Sequence, residues 1–323
     1  MNTFGRIFRI SIYGTSHNSE LGILIDGCPP GMEISIEEFS EEILRRSSGQ
    51  QGTTPRQEDD IPFIKSGIYN GRTNGTPLLI SFKNNNFKSA DYEFGGFCRP
   101  GHADFAAAAK YKNFNDPNGG GQFSGRMTLP LVAAGVIAKK IIPDVEIKAE
   151  IYSIGNTRNI NHEIEDAKKQ LDSLGGIVQC NISGINPGLG EPFFDSVESL
   201  ISHAVFSIPG VKAIEFGEGI RSASMRGSVF NDVFIDKSGK TGTNNSGGIN
   251  GGITNGNDIY FRVYFRPASS IGKRQKTLNF ETGEIQDFEL KGRHDTCYVL
   301  RTPVIVEAVA AIVLADLTLL SAC

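Results

Sequence analysis

Between Arg99 and Thr128 the chain gathers an unusual density of groups able to handle an anion. Arg99-Pro-Gly-His-Ala-Asp104 is followed, after a short Ala-rich stretch, by Asn118-Gly-Gly-Gly-Gln-Phe-Ser-Gly-Arg-Met-Thr128. Glycine lets the main chain approach a ligand and take positive φ, so that its N–H groups can point at an anion. Arginine adds a planar fork of donors that matches phosphate or carboxylate, and His102 adds a group that titrates near neutrality. His17, His102 and His294 all stand in Gly-containing turns beside Ser, Arg or Asp. None has the spacing of a zinc-ligand pair, so proton transfer or anion binding suits them better. With Arg45, Arg46, Arg126, Arg266 and Arg293 at element ends or in loops, the residues sum to a cationic pocket. Such a pocket predicts a small ligand with several negative charges, such as a phosphate ester with carboxylates. No Gly-Lys-Ser/Thr follows the glycine run and no G-x-G-x-x-G joins a strand to a helix, which excludes the usual nucleotide loops. Taken alone, the glycine run reads first as a surface loop, a reading its company displaces, and His162 and His203 read as packed or solvated helix residues.

Those side chains need elements to hold them. Phe8, Ile10 and Ile12 alternate with polar residues, so a first strand delivers Gly14-Thr-Ser-His17, and a second runs through Ile23 to Ile25. Ser35 with Glu38 forms a capping box, Ile34 and Phe39 occupy staple positions, and Gly49 is available as terminator, giving a helix whose last turn holds Arg45 and Arg46. By spacing alone those two arginines also suit the helix dipole, worth about 0.3–1 kcal/mol. Ser47 to Asp60 reads as a long loop, and Ile64–Tyr69 and Leu78–Phe82 as a strand pair. Leu129 to Ile142 is apolar nearly all round, hence a buried helix, with Pro130 in its first turn. Strands follow at Val145–Ile151 and near Gly176–Ile182, with a helix from about His162 to Leu174 between them. Asp195 and Glu198 make a second capping box, and Val211 begins a strand, Gly-rich turn, strand pattern. Thr241 to Gly256 is too polar and Gly-rich to pack without something to wrap, so it is disordered or ordered by a ligand. Ile259, Phe261, Val263 and Phe265 alternate cleanly and end at Arg266; Thr302 and Pro303 open a terminal helix to Leu320 that is again apolar all round. Both Gly-Arg loops thus precede a buried Ala-rich helix, which suggests a duplicated layout.

Composition bounds the reading. The chain has 323 residues, 39% of them hydrophobic, and a net charge of −4, enough for a full core and without a polybasic stripe for nucleic acid. Five cysteines are scattered without paired spacing, which suits reduced thiols in a cytoplasm. No signal-type segment opens the chain, and no apolar run reaches membrane-spanning length.

Six motifs in register resemble those of the chorismate synthase family: Gly14-Thr-Ser-His17, Arg99 to Asp104, Gly119 to Arg126, Gly251 to Gly256, Arg266-Pro-Ala-Ser-Ser270 and Gly292-Arg-His-Asp-Thr-Cys297. The likeness runs from Phe4 to Leu320. It implies an α+β fold, one large domain over residues 1–323 built as a β-α-β sandwich with internal pseudo-symmetry and assembled as a homotetramer. It implies a lyase that takes 5-enolpyruvylshikimate 3-phosphate to chorismate and phosphate by 1,4-elimination, with reduced FMN and no net redox change; NADPH would enter only as a source of reductant. Carried over by position, His17 is the acid toward reduced flavin and His102 toward the departing phosphate, while Ser16 and Asp295 form a relay at flavin N5. Arg45 falls near the substrate or reductant entrance, with Arg46, Arg99 and Arg126 on the substrate side. Gln122, Phe123, Ser124, Val229, Phe230, Asn231, Gly251, Arg266, Pro267, Ala268, Ser269, Ser270 and Arg293 match flavin-binding positions. The chain departs from the family pattern at Thr15, Asn18, Ser47-Ser48, Gln51, Gln122, Phe123 and Arg266, and the net effect is less positive charge. A divergent flavin- or phosphate-binding protein without turnover is the alternative.

Overall fold

A computed structural model describes residues 2–49, 52–53, 59–84, 94–116, 118–155, 157, 159–290 and 294–322. The first half supplies strands β1 (Thr3–Phe4), β2 (Arg9–Gly14) and β3 (Glu20–Asp26), helix α1 (Glu37–Arg46), strand β4 (Phe63–Ser66), the hairpin β5 (Ile68–Tyr69) with β6 (Arg72–Thr73), strand β7 (Leu78–Lys83), and helices α2 (Asp104–Tyr111) and α3 (Leu129–Ile141). The second half supplies β8 (Glu146–Ile154), α4 (Ile160–Lys169), β9 (Gly176–Ser183), α5 (Val197–Val205), β10 (Val211–Phe216), α6 (Gly227–Phe230), the hairpin β11 (Ile249–Asn250) with β12 (Ile253–Thr254), β13 (Ile259–Phe265), the hairpin β14 (Gln275–Leu278) with β15 (Ile285–Phe288), and α7 (Pro303–Ser321).

Two antiparallel sheets stand on the outside, one of five strands in the order β1-β2-β3-β7-β4 and one of four in the order β10-β13-β9-β8. Helix α3 packs on β3 and α1, helix α7 packs on β8 and α5, and the two helices pack on each other between the sheets. This is the expected β-α-β sandwich, with each half giving a sheet and a buried helix to equivalent places. The contact is close enough to require a glycine: a Cβ on Gly135 of α3 would lie 2.5 Å from the Cβ of Ala308 in α7. Strand β13 buries Ile259, Phe261, Val263 and Phe265 in alternation, as its pattern requires.

Helix α7 is 19 residues long with a mean hydropathy of 2.2, so by length and composition it could cross a membrane, contrary to the expectation that no apolar run reaches that length. Within the fold that apolarity is consumed, 78% of the stretch being buried. Two carboxylates on α7 are buried and held. Asp316 accepts from the N–H groups of Arg6, Ile7 and Phe8, tying the entry into β2 to the central helix. Glu307 accepts from both Arg45 terminal nitrogens at 2.7 Å, from Lys139 Nζ at 3.2 Å and from the Ala149 N–H at 2.9 Å.

Three local expectations change. In α1, Glu38 accepts from the Ser35 N–H at 3.0 Å, but no side chain caps the helix in return, and the helix ends at Arg46, short of Gly49. The cap of α5 is Ser196, whose hydroxyl accepts from the Ser199 N–H at 3.1 Å. Asp195, one residue too early to reach that N–H, pairs with Arg6 instead. The polar stretch from Thr241 to Gly256 is folded and held by bonds from within the chain. The Asp232 carboxylate accepts from the N–H groups of Asn245 and Ser246 and from the Thr243 hydroxyl, and β11 and β12 close the far end.

Candidate active site

At one end of the sandwich a cavity of about 800 Å³ opens between α1, the Gly-rich segment and the loops that follow β13 and precede α7. Its wall includes five guanidiniums, those of Arg46, Arg99, Arg126, Arg266 and Arg301, against the carboxylates of Asp59, Asp60 and Asp295. The last turn of α1 brings in Arg46. Its neighbour Arg45, about 100° further round the helix, points the other way onto Glu307 and does not line the cavity. Arg45, expected near an entrance, has its fork on that buried carboxylate while its side chain remains 38% exposed.

Asp60 is the hub of the cationic wall. Its two oxygens accept from Arg46 Nη2 at 2.8 Å and Arg126 Nη1 at 2.5 Å, with all three side chains at most 7% exposed. Burial pulls the Arg46 guanidinium down to about 10, with Asp60 opposing and the nearby Arg126 and Arg301 adding to the effect. Arg126 Nε donates to Asn84 Oδ1 at 3.0 Å, and the Asn84 amide donates to the carbonyls of Asn18 at 2.7 Å and Thr15 at 3.3 Å. A buried asparagine thus joins the arginine wall to the turn that carries Ser16 and His17.

The second cluster lies across the cavity. Asp104, the first residue of α2, accepts from the Arg99 N–H at 3.0 Å and Nε at 2.8 Å through one oxygen, and from Arg99 Nη2 at 2.7 Å through the other. His102 Nδ1 lies 2.5 Å from that second oxygen. Burial opposes ionisation of Asp104, but the bonds from Arg99 and His102 outweigh it and hold the carboxyl well below its usual range. Gly120 has φ +81°, and a Cβ there would come within 3.4 Å of His102 Cε1 and Nε2, so the glycine run lies directly against the imidazole edge. Across the same turn, Ser269 donates to the Gly101 carbonyl at 3.0 Å and Arg266 Nη1 donates to Ser269 Oγ at 2.5 Å.

Ser16 is fully buried, and its Oγ is 2.9 Å from His17 Nδ1. Its N–H donates to the Gly121 carbonyl and its hydroxyl to that of Asn118, so this pair touches the glycine run but is not part of the cavity wall. Asp295 does line the cavity, where it accepts from Arg301 Nη2 at 2.7 Å. The expected partner Arg293 lies outside the described residues, as does Gln51. Phe123, Ser124, Arg266, Ala268, Ser269 and Ser270 line the cavity. Pro267 and the exposed Gln122 do not, and Val229, Phe230, Asn231 and Gly251 lie elsewhere. Val229 is 62% exposed on α6, and Gly251 sits in the turn between β11 and β12 with nothing within 4 Å of a Cβ there.

Asp60, Asn84, Asp104 and Arg301 escaped the sequence reading as site residues. For Asp104 the signal was present, two residues from His102; for the other three nothing local marks them. Among the described residues, buried polar side-chain atoms without a partner are Arg46 Nε, Arg126 Nη2, Arg301 Nε, His294 Nε2 and Glu198 Oε2. All but the last belong to cavity residues. Unpaired buried polar groups cost about 1–3 kcal/mol each.

A pH dependence follows. Burial, assisted by Arg99, holds His294 below its ordinary value of 6.5, with Leu290 and Asp295 opposing. Burial opposes ionisation of Glu307, yet Arg45, the Ala149 N–H and Lys139 bring it below 4.5. Together with Asp104, each favours the fold in its deprotonated form. The contribution is complete above the ordinary value and is lost as pH falls through the lowered one. Melting temperature is therefore expected to change little just above pH 6.5 and to fall in two stages on acidification. A His294→Gln variant should lack the upper stage; a parent profile flat down to the carboxylate range would contradict this assignment.

A sandwich of this design, with a polycationic cavity edged by imidazoles and a glycine run, defines an enzyme acting on a small polyanion. Residues 8–319 match the family model described as chorismate synthase. The chain is 54% identical over 322 residues to a chorismate synthase of Chitinophaga pinensis, covering 99% of this chain and 97% of the relative. It is 41% identical to one of Dehalococcoides mccartyi, covering 98% and 96%. A solved structure titled as the crystal structure of chorismate synthase superposes with a TM-score of 0.76 at 25% identity, over 98% of this chain and 93% of that one. The chain belongs to the chorismate synthase family.

Proposed function

We propose that the cavity converts 5-enolpyruvylshikimate 3-phosphate to chorismate and phosphate by 1,4-elimination, the reaction of the family. The observation that supports this most directly is the five guanidiniums of Arg46, Arg99, Arg126, Arg266 and Arg301 gathered on the wall of one cavity. They suit a ligand with a phosphate and two carboxylates. Arg46, Arg99 and Arg126 hold the substrate, and His102 protonates the departing phosphate. Arg301, already bound to Asp295, adds a further donor.

The cationic wall also fits the phosphate of FMN, which Ser124, Arg266, Ser269 and Ser270 would hold with Phe123 and Ala268 against the ring. Reduced FMN, when bound, supplies reducing equivalents that the elimination returns; NADPH is needed only if it furnishes them. Asp295, on the cavity wall, would move a proton at the flavin, while His17, held by Ser16 against the glycine run, would act from behind that run. The chain acts as one catalytic domain over residues 1–323, in the cytoplasm, where the free thiols of Cys28, Cys98, Cys180 and Cys297 stay reduced. It assembles as a homotetramer. Ile220, Val229, Val233, Phe234 and Ile235, each more than 60% exposed, give that assembly an apolar surface to cover.

The test is phosphate release from the enolpyruvyl substrate under anaerobic conditions with reduced FMN. Turnover is expected with reduced flavin and none with oxidised flavin. Flavin binding without phosphate release would make this a binding protein of the same fold.

A further inference from the structure

We propose that Asp104 is the positioning residue of His102, fixing the imidazole with a proton on Nδ1 so that Nε2 is the nitrogen that gives up its proton in the cavity. The inference rests on the reading of His102 as the acid, but the geometry that carries it does not.

The Nδ1 to Oδ1 separation is 2.5 Å. An ionised carboxylate cannot donate, and a bare ring nitrogen at that distance would oppose two lone pairs, so Nδ1 carries the hydrogen and donates. Arg99 Nη2, 2.9 Å from the same ring nitrogen, is also a donor and converges with it on Oδ1. Ionisation of Asp104 is secured independently by Arg99, which places three donors on the two oxygens. With Nδ1 occupied in this way, the opposite edge of the ring, Nε2 and Cε1, is the one against Gly120. When imidazolium gives its Nε2 proton to an oxygen of the departing phosphate, the N–H bond breaks and the O–H bond forms. The neutral ring left behind is already the tautomer that Asp104 accepts from, and no reorientation is needed.

Asparagine at this position cannot serve all four donors. Its amide nitrogen, set at the Oδ2 place, would face the Arg99 N–H and Nε–H together. Set at the Oδ1 place, it faces Arg99 Nη2 and can itself donate to Nδ1 if the histidine changes tautomer. The second arrangement leaves fewer donors opposed, so Asp104→Asn should drive His102 to the Nε2–H form.

The experiment uses the full chain labelled with ¹⁵N-histidine, with His102 assigned by its loss in His102→Ala. At a pH where the ring is neutral, long-range ¹H–¹⁵N correlation should show a protonated Nδ1 and a bare Nε2 in the parent. In Asp104→Asn it should show the reverse, or a mixture, with kcat lowered about 10–100-fold and substrate KM within a few fold. Asp104→Glu, which keeps the charge, should retain the parent tautomer. A parent ring protonated on Nε2, or a tautomer unmoved in Asp104→Asn, overturns the proposal. If both variants fail to fold, the parent spectrum alone decides. If no phosphate is released from substrate while the tautomers are as expected, it is the reaction assignment that fails and the dyad stands.

Discussion

His102→Ala is expected to lower turnover by about 10²–10⁴-fold, the usual worth of a positioned general acid, while leaving the fold and the affinity for flavin largely intact. The fold should survive because Asp104 keeps its three bonds from Arg99 when the imidazole is removed. The ring is also not a core residue, its side chain being 16% exposed. Substrate KM should move little, because the arginine wall that binds the anion is untouched and the proton is shared only as the phosphate leaves. Steady-state kinetics under anaerobic conditions with reduced FMN check this. A variant that turns over at the parent rate would show that phosphate departs unaided and that the imidazole is structural.

The largest expected effect on stability comes from Asp60→Asn. That change removes the carboxylate that bridges Arg46 and Arg126, whose side chains are each only 7% exposed. Breaking a buried pair by removing one partner typically costs about 3–5 kcal/mol, because the remaining charge has neither water nor counterion. Here two guanidiniums remain, and each repels the other. Thermal melts should show a loss on the order of 10 °C. Inorganic phosphate offers a second arm of the test, since an anion in the cavity replaces the lost charge and binds only the folded protein. It should therefore raise the melting temperature more in Asp60→Asn than in the parent. A small loss with equal phosphate responses would mean that asparagine serves as well and that Asp60 is only a hydrogen-bond acceptor.

Much of this protein is legible in its sequence because the signals are local. The period of two at Ile259 to Phe265 is set by strand geometry, and burial follows it residue by residue. The all-round apolarity of α3 and α7 requires that each be enclosed, and two such helices meet most economically between two sheets. The residue types also set the chemistry in advance, since arginines, glycines and histidines in turns offer fixed donors and a proton near neutrality, and the six motifs carry the family with them.

Tertiary structure alone decided which of these groups meet. Arg45 and Arg46 are equivalent in sequence, but one residue is about 100° of helix, and the packing of α1 decides which guanidinium faces the cavity and which faces Glu307. Asp60 joins arginines 14 and 66 residues away, and Asn84 reaches the His17 turn from 66 residues off, contacts that no local pattern encodes. The cap of α5 moved from Asp195 to Ser196 because a hydroxyl one position later reaches the open N–H. The segment from Thr241 to Gly256 looked unable to pack because its partner, the Asp232 carboxylate, lies outside it and accepts three of its donors. Sequence alone determines what a side chain can donate, accept or bury; its partner is settled only when the whole chain has found its burial, because charge and hydrogen bonding act across space and not along the chain.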